Sequence, residues 1–534
     1  MKTYLLIKDV PPQPERLLLC TLQGIVNRHA PQLYLLGDEE TDGHWVEWYQ
    51  KYDFEPEEVT VETALDRLLP KTQGAYVIGQ QEADWEIPLA VTLAGLDDRV
   101  IVTPDQATLV SERGCSVEPL PCPHFQTRLE AMAWAVSNLR PRTNPELLHA
   151  NAWAPETHSL DISDWIVAHR GFSFRLTTNP VSHPGDRELL GELYANSPLY
   201  THVLGWHHND DGECPHVHYA TEYGMVPFCM TRNLNFSFHR HVQAKGSFQQ
   251  SAPEKVPTFE KDRCYVTFVF SDGDAPHSMV DLQKRQWTKP QRGSIPFGWA
   301  VPPQMLTFGP AMLEYFYESR TPQDDFLCGP SGLGYNYLSV WARRRSDVED
   351  AHASRIEYLS RSNALMEKLD LHAMWPINRI LEWLPDGRIM RRLVGNDIWV
   401  VNADNEPGKY GIDFMDDGVI RDYCTHVPAS IGFFQGWHHI PGDHERVMEG
   451  RPYFPGKVLA ESVDQTLRDI DRCRAVEGAP CFIPVHIDCY SMGLEGVAEI
   501  IERVDQSRYS VLLPTTFLRL AAQAKSSERQ EAGR

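Results

Sequence analysis

Hydrophobic and polar positions in the first hundred residues fall into short apolar runs, several closed by glycine, separated by stretches of helical spacing. The opening Met1-Lys2-Thr3-Tyr4-Leu5-Leu6-Ile7 is interrupted at once by Lys8-Asp9 and Pro11-Pro12, which predicts a strand. Gln32–Gly37 and Gly74–Gly79 are apolar runs of the kind buried in a mostly parallel sheet. Pro88 to Leu96 predicts a helix of small residues, and Arg99–Thr103 another strand. The pattern predicts an N-terminal α/β subdomain over residues 1–104 and a second over 105–250. Leu204-Gly205-Trp206 in the second is a strand end running into a polar loop that holds His207, His208 and Glu213. Glycine, serine and proline between Lys245 and Lys261 mark a linker.

Residues 262–525 alternate strand and helix candidates. Strands are expected at Tyr265–Phe270, Ala373–Pro376, Ile398–Asn402, Ser430–Phe434, Cys481–Ile487 and Tyr509–Leu513, and helices at Pro303–Tyr317, Val348–Leu369, Ser462–Ala475 and Glu495–Val504. Such alternation suits a (β/α) barrel or a doubly wound sheet.

At 534 residues the chain exceeds one hydrophobic core, and 42% hydrophobic residues supply enough apolar surface for two or three domains. With 73 acidic against 50 basic side chains the net charge is −23, which argues against nucleic acid or an anionic membrane as partner. No stretch approaches the ~20 apolar residues of a membrane helix. The opening segment has neither a basic n-region nor an apolar h-region, and the 11 cysteines include no C-x-x-C pair, so reduced thiols in a cytoplasmic protein are expected. Walker, dinucleotide and Gly-x-Ser-x-Gly motifs are missing in context, and no cofactor is expected. Lys261-Asp262-Arg263 and Arg343-Arg344-Arg345 read as charged surface runs, the latter pairing with the acids after it.

The strongest candidate chemistry is acidic. The apolar strand Tyr265–Phe270 runs into Ser271-Asp272-Gly273-Asp274, two carboxylates spaced i, i+2 at a strand end, where barrel enzymes place their active sites. The alternative is an acidic turn capping the next helix. His486 and Asp488 follow a second clean apolar strand. Gly329-Pro330-Ser331-Gly332-Leu333-Gly334-Tyr335-Asn336-Tyr337 sets three glycines beside two alternating phenols. Such glycines admit the close approach of a ligand or of a neighbouring chain, and the residues leave open a ring wall or a tight packed turn. Asn235-Phe236-Ser237-Phe238-His239 alternates, which puts Asn235, Ser237 and His239 on one strand face.

Gly332, Gly334, Tyr335 and Tyr337 resemble the signature of the GxGYxYP family, with Leu338 in place of its final proline. Thr21–Arg28, Asn235–His239 and Ser271–Asp274 also resemble family segments, in the family's order; Gly24 and Asn27 within the first are read as structural. The family is proposed to be a class of glycoside hydrolases. The resemblance implies N-terminal α/β subdomains followed by a C-terminal (β/α) barrel of seven or eight strands, and a carbohydrate substrate. Glycosidic cleavage takes two carboxyls. One of Asp272 and Asp274 is then nucleophile or base, and Asp488 or Glu213 the general acid, ahead of the loop acids Glu382 and Asp404. Tyr335, Tyr337, Trp206, Trp299, Asn235, His239 and His486 are the candidate substrate-binding residues. Two alternatives remain: metal-assisted hydrolysis similar to polysaccharide deacetylases, with Asp272, Asp274 and His486 as ligands, and a non-catalytic glycan-binding protein. Further ligand types stand at His207-His208, His216-x-His218 and His438-His439 with Asp443, without zincin spacing, and no metal is assigned.

Overall fold

A computed structural model describes residues 2–79, 84–151, 160–206, 213–230, 233–250, 256–270, 276–329, 331–374, 379–383, 389–393, 397–400, 426–428, 463–464, 466–471, 474–475, 478–487 and 492–532. The apolar runs of the first segment become short parallel sheets. β1 (Lys2–Ile7) lies between β2 (Leu33–Leu35) and β3 (Phe54–Glu58), parallel to both. β4 (Ala75–Val77) lies between β5 (Val100–Val102) and β6 (Val117–Pro119), again in parallel. The subdomain boundary expected after residue 104 therefore cuts a sheet. Val117-Glu118-Pro119 has a single branched apolar residue, so its sequence carried no strand signal. A third parallel sheet contains β7 (Leu147–Asn151), β8 (Phe172–Phe174), β9 (His202–Trp206) and β10 (Val226–Cys229), in the order β10-β9-β7-β8.

The C-terminal region is built on β11 (Cys264–Phe270), β12 (Phe297–Val301), β13 (Asp324–Cys328) and β14 (Ala373–Met374), a run of parallel neighbours. A hairpin of β15 (Arg379–Trp383) and β16 (Ile389–Leu393) follows, then β17 (Asp397–Val400) and β18 (His426–Pro428). β19 (Cys481–Ile487) and β20 (Tyr509–Val511) both return to pair with β11. β17 runs against both its neighbours, and β18 comes into contact with β19 at the far end of the sheet without a ladder between them among the described residues. The result is a curled, mostly parallel sheet, a half-barrel; among the described residues no ladder closes it into the complete barrel of seven or eight strands that was expected.

Both faces of this sheet are apolar for different reasons. Tyr265, Val269, Ala300, Leu327 and Ala373 cluster with Phe517, Leu518 and Ala521 of the helix Pro514–Ala532. Asp325, near the start of β13, accepts from Thr515 N at 2.6 Å and Thr515 Oγ1 at 3.1 Å, which anchors that helix at the end of the sheet where the strands begin. The opposite end, where the strands finish, is left to the loops.

The first and third sheets are locked through the helix Arg16–Val26. A Cβ on Gly24 would lie 2.5 Å from Asp164 O and 2.8 Å from Val167 Cβ on the helix Ser163–Ala168, so the two helices touch at backbone distance. Asn27 donates to Leu33 O at 2.8 Å and Ser237 Oγ at 3.3 Å, while its Oδ1 accepts from Gln32 N and Leu33 N. Gly24 and Asn27 are structural residues, as read. Gly24→Ala should overpack this crossing and lower stability by about 1–3 kcal/mol, measured as a fall in the urea midpoint.

Asp164 is fully buried and accepts from Ser237 N at 2.7 Å, while its Oδ1 has no partner. Burial pushes its pKa up to about 7. Its contribution to stability is therefore fully present below about pH 4, the ordinary carboxylate range, and is lost as pH rises to about 7. Asp164→Asn should flatten that decline and raise stability at pH 8 by up to roughly 4 kcal/mol, read from urea unfolding at pH 4, 6 and 8.

Candidate functional site

β11 is buried at all its positions and pairs with β19 along its whole length, from Cys264 opposite Cys481 to Phe270 opposite Ile487. The two strands thus finish side by side. Asp272, Asp274 and Asp488, which follow these ends in the sequence, lie outside the described residues, as do Asp404, His207, His208, His438, His439 and Asp443. Glu213 is the first residue of the helix Glu213–Glu222 that follows β9. Glu382 falls in the β15–β16 hairpin opposite Met390, and β15 packs on the helix Glu213–Glu222. His486 is paired in register with Val269.

The aromatic candidates divide by the face they occupy. Tyr335, Tyr337 and the partly buried Trp206 join Val269, Ala300 and Leu327 in one apolar cluster. Tyr335 and Tyr337 do share a side, as their alternation predicted: their rings are 5.7 Å apart and edge-on, with the hydroxyls 3.4 Å apart. At 2% and 0% exposure they are packed beneath a surface and do not form an open sugar-stacking wall. Trp299 is a plain correction. It pairs with Phe270 and faces the other side of the sheet, packed on Trp287, Phe270 and Phe297, with Nε1 donating to Asp324 Oδ1 at 2.9 Å.

The signature glycines serve chain-to-chain contact. Gly332 has φ +91°, and a Cβ there would lie 2.3 Å from Ser362 Oγ; one on Gly334 would lie 2.5 Å from Val226 Cγ1 and 3.0 Å from Pro227 O. With the glycines in place, Tyr335 N donates to Pro227 O at 3.0 Å along the edge strand β10. Asn336 is fully buried, donates to Thr221 Oγ1 at 3.1 Å and Met225 O at 2.8 Å, and accepts from Tyr358 OH at 3.0 Å. Leu338 opens a 3₁₀ turn, Leu338–Val340, a position that suits the family's proline, and its own side chain is core.

Asn235–His239 also departs from expectation. Asn235 adopts φ +70° and precedes a short helix, Phe236–His239, in place of a strand. Asn235 Oδ1 accepts from Gln23 Nε2 at 2.6 Å and Leu35 N at 2.8 Å, and Nδ2 donates to Leu35 O at 2.8 Å, so its fully buried amide ties the start of this helix to the first sheet. His239 binds Tyr49 OH through Nδ1 at 2.7 Å, and burial brings its pKa down to about 3. It borders a polar cavity shared with Arg16, Asp161 and Asn233.

Arg343 and Arg344 are not a free surface run. Both guanidinium groups bind the fully buried Glu222, Arg344 Nε at 2.8 Å, while Arg345 pairs with Asp347 at 2.6 Å as expected. His218 lies 3.6 Å from Glu222 and is held neutral by burial, its pKa brought down to about 3. Among the described residues no group of three or more His, Cys, Asp or Glu is arranged to hold a metal, Cys20, Cys115, Cys122, Cys264 and Cys328 are free thiols, and no helix is long and apolar enough to cross a membrane.

Three family models match the chain: "GxGYxYP_N 1st domain" over residues 2–70, "GxGYxYP third domain" over 148–241, and "GxGYxYP putative glycoside hydrolase C-terminal domain" over 262–522. The chain belongs to the GxGYxYP family. No curated protein matches it. Among solved structures, a "putative hydrolase" from Bacteroides thetaiotaomicron VPI-5482 superposes with a TM-score of 0.70 at 18% identity, covering 98% of this chain and 94% of that one. That likeness establishes that this GxGYxYP protein shares the neighbour's fold.

If the signature segment is a structural joint, Asn336→Ala should cost about 1–3 kcal/mol by stranding the Met225 carbonyl and the Tyr358 hydroxyl. Thermal unfolding measures this, and Tyr358→Phe should cost less.

Proposed function

We propose that this GxGYxYP protein is a glycoside hydrolase whose reaction site lies where β11 and β19 end. The observation that carries the reading is the parallel register running to Phe270 opposite Ile487. The sequences holding Asp272 and Asp274, and Asp488, continue from those two adjacent ends. Neighbouring strands are about 4.8 Å apart, which suits carboxyl separations of about 5–5.5 Å for retention or ~6.5–9.5 Å for inversion.

In this reading one of Asp272 and Asp274 serves as nucleophile or base. Asp488 protonates the leaving oxygen, with Glu213, at the start of the helix after β9, as the other donor. Val269, Ala300 and Leu327 give the site an apolar floor. Poor hydration above such a floor raises the pKa of a carboxyl and keeps an acid protonated near neutrality. Trp206, which ends β9 and packs on that floor, and His486, opposite Val269 in β19, are the sugar contacts in this reading, while Tyr335 and Tyr337 hold the floor in place.

The test is turnover on a panel of aryl glycosides and oligosaccharides by the wild type and by Asp272→Asn, Asp274→Asn and Asp488→Asn. Loss of kcat by about 10²–10⁴ with little change in KM is expected for the acids that act, and NMR of the first-formed anomer then gives the stereochemistry. Unchanged turnover in all three variants overturns the site. Activity that a chelator abolishes and one metal equivalent restores assigns the reaction to metal-assisted hydrolysis on Asp272, Asp274 and His486. Saturable glycan binding by a wild type that turns over nothing makes the chain a glycan-binding protein.

A further inference from the structure

We propose that the cavity lined by the helix Arg16–Val26, the turn around Asp42, Asp161 and Asn233, and the helical segment at Asp281–Arg285 is a binding site for a neutral polyol of monosaccharide size, separate from the ends of β11 and β19. Its volume is about 360 Å³, and among the described residues its lining includes none from either strand. Pockets of about 300–1,000 Å³ take small molecules, so this one takes a single small ring.

Both guanidinium groups in its wall are already paired with carboxylates. Arg16 Nη1 lies 3.1 Å from both Asp161 carboxylate oxygens, and Arg285 binds Asp38 at 2.6 Å and Asp281 at 2.5 Å. His239 is neutral and bonded to Tyr49. An entering anion would find both guanidinium groups taken and four carboxyls in the wall.

The buried side-chain groups of the wall that lack a hydrogen-bond partner are neutral. Asn233 is 1% exposed, yet neither its Oδ1 nor its Nδ2 has a partner, and the indole N–H of the 1% exposed Trp45 is also unbonded. Each such buried group costs about 1–3 kcal/mol, and the cost is recovered when a ligand supplies the partner. Asn233 needs a donor and an acceptor and Trp45 an acceptor, which hydroxyl groups supply together because each both donates and accepts. Asp42 adds a further contact: its Oδ2 accepts from Gly37 N at 2.8 Å and Asp38 N at 2.9 Å. The residue as a whole is half-buried, and burial of its carboxyl, with Asp38 and Asp161 nearby, pushes its pKa up to about 7. Near neutrality it exists in both protonation states and meets a hydroxyl in either.

The experiment is calorimetric titration of the full chain with D-glucose, D-galactose, D-mannose and myo-inositol, using the wild type, Asn233→Leu, Trp45→Phe and Asp272→Asn. At least one polyol should bind the wild type and Asp272→Asn equally, at one per chain. Asn233→Leu should weaken that binding at least tenfold, and Trp45→Phe, which keeps the ring and removes the donor, severalfold; circular dichroism confirms that each is folded. Absence of saturable binding by all four polyols overturns the proposal, as does equal binding by Trp45→Phe and Asn233→Leu. Binding lost in Asp272→Asn overturns it by assigning the polyol to the reaction site. Loss of turnover in Asp272→Asn with polyol binding intact supports both sites independently.

Discussion

The C-terminal region depends on one pairing: β11 with β19, brought together from opposite ends of that region. β11 is buried throughout, so each of its backbone amides and carbonyls needs a partner within the sheet. β19 supplies partners along one edge, while the other edge is shared between β20 at Cys264–Val266 and β12 at Val269–Phe270. Slipping the register by one residue would turn Val269 away from the apolar cluster and Phe270 into it. Because Val269 belongs to the same cluster as Tyr335, Tyr337 and the helix Pro514–Ala532, the ladder also fixes where the signature segment and the helix sit.

The family signature acts as a second fastening, between the C-terminal region and the third sheet. β10 is the edge of that sheet, and Tyr335 N bonds to Pro227 O on its free side. Thr221 sits at the centre of the contact: its hydroxyl donates to Val217 O at 2.7 Å and accepts from Asn336 Nδ2 and Tyr337 N. The next residue, Glu222, is matched by Arg343 and Arg344, so a fully buried carboxylate is set against two guanidinium groups. Removing one partner of a buried pair leaves an uncompensated charge, which makes this joint far less tolerant than the surface run suggested by Arg343-Arg344-Arg345.

Much of this architecture was legible in the residues, and the failures have physical causes. Tyr265–Phe270 and Cys481–Ile487 stood out because strands buried on both faces are continuous apolar runs. The same property hides which side a ring takes: with both faces apolar, nothing in Phe297-Gly298-Trp299-Ala300-Val301 says that Trp299 looks away from the strand ends and Ala300 toward the signature tyrosines. β13 went unread because it opens with Asp324-Asp325, whose charges are answered by partners distant in sequence, Arg292 and Trp299 for the first and Thr515 for the second. Asn235–His239 alternates like a strand, but the left-handed backbone at Asn235 turns it into a helix, and the amide it displays is used across the gap to Leu35.

The polar cavity and the end of β11 are tied together by covalent geometry. The helical segment Ser278–Gln283 lies a few residues beyond β11, and its Val280 and Asp281 form one wall of the cavity. Asp281 and Arg285, one turn apart, bond to each other, and Arg285 extends the contact to Asp38 of the first segment. Lys284, which bonds to the Glu40 carbonyl at 2.6 Å, adds a second tie. The segment that leaves β11 is therefore clamped to the N-terminal region before the chain continues to β12.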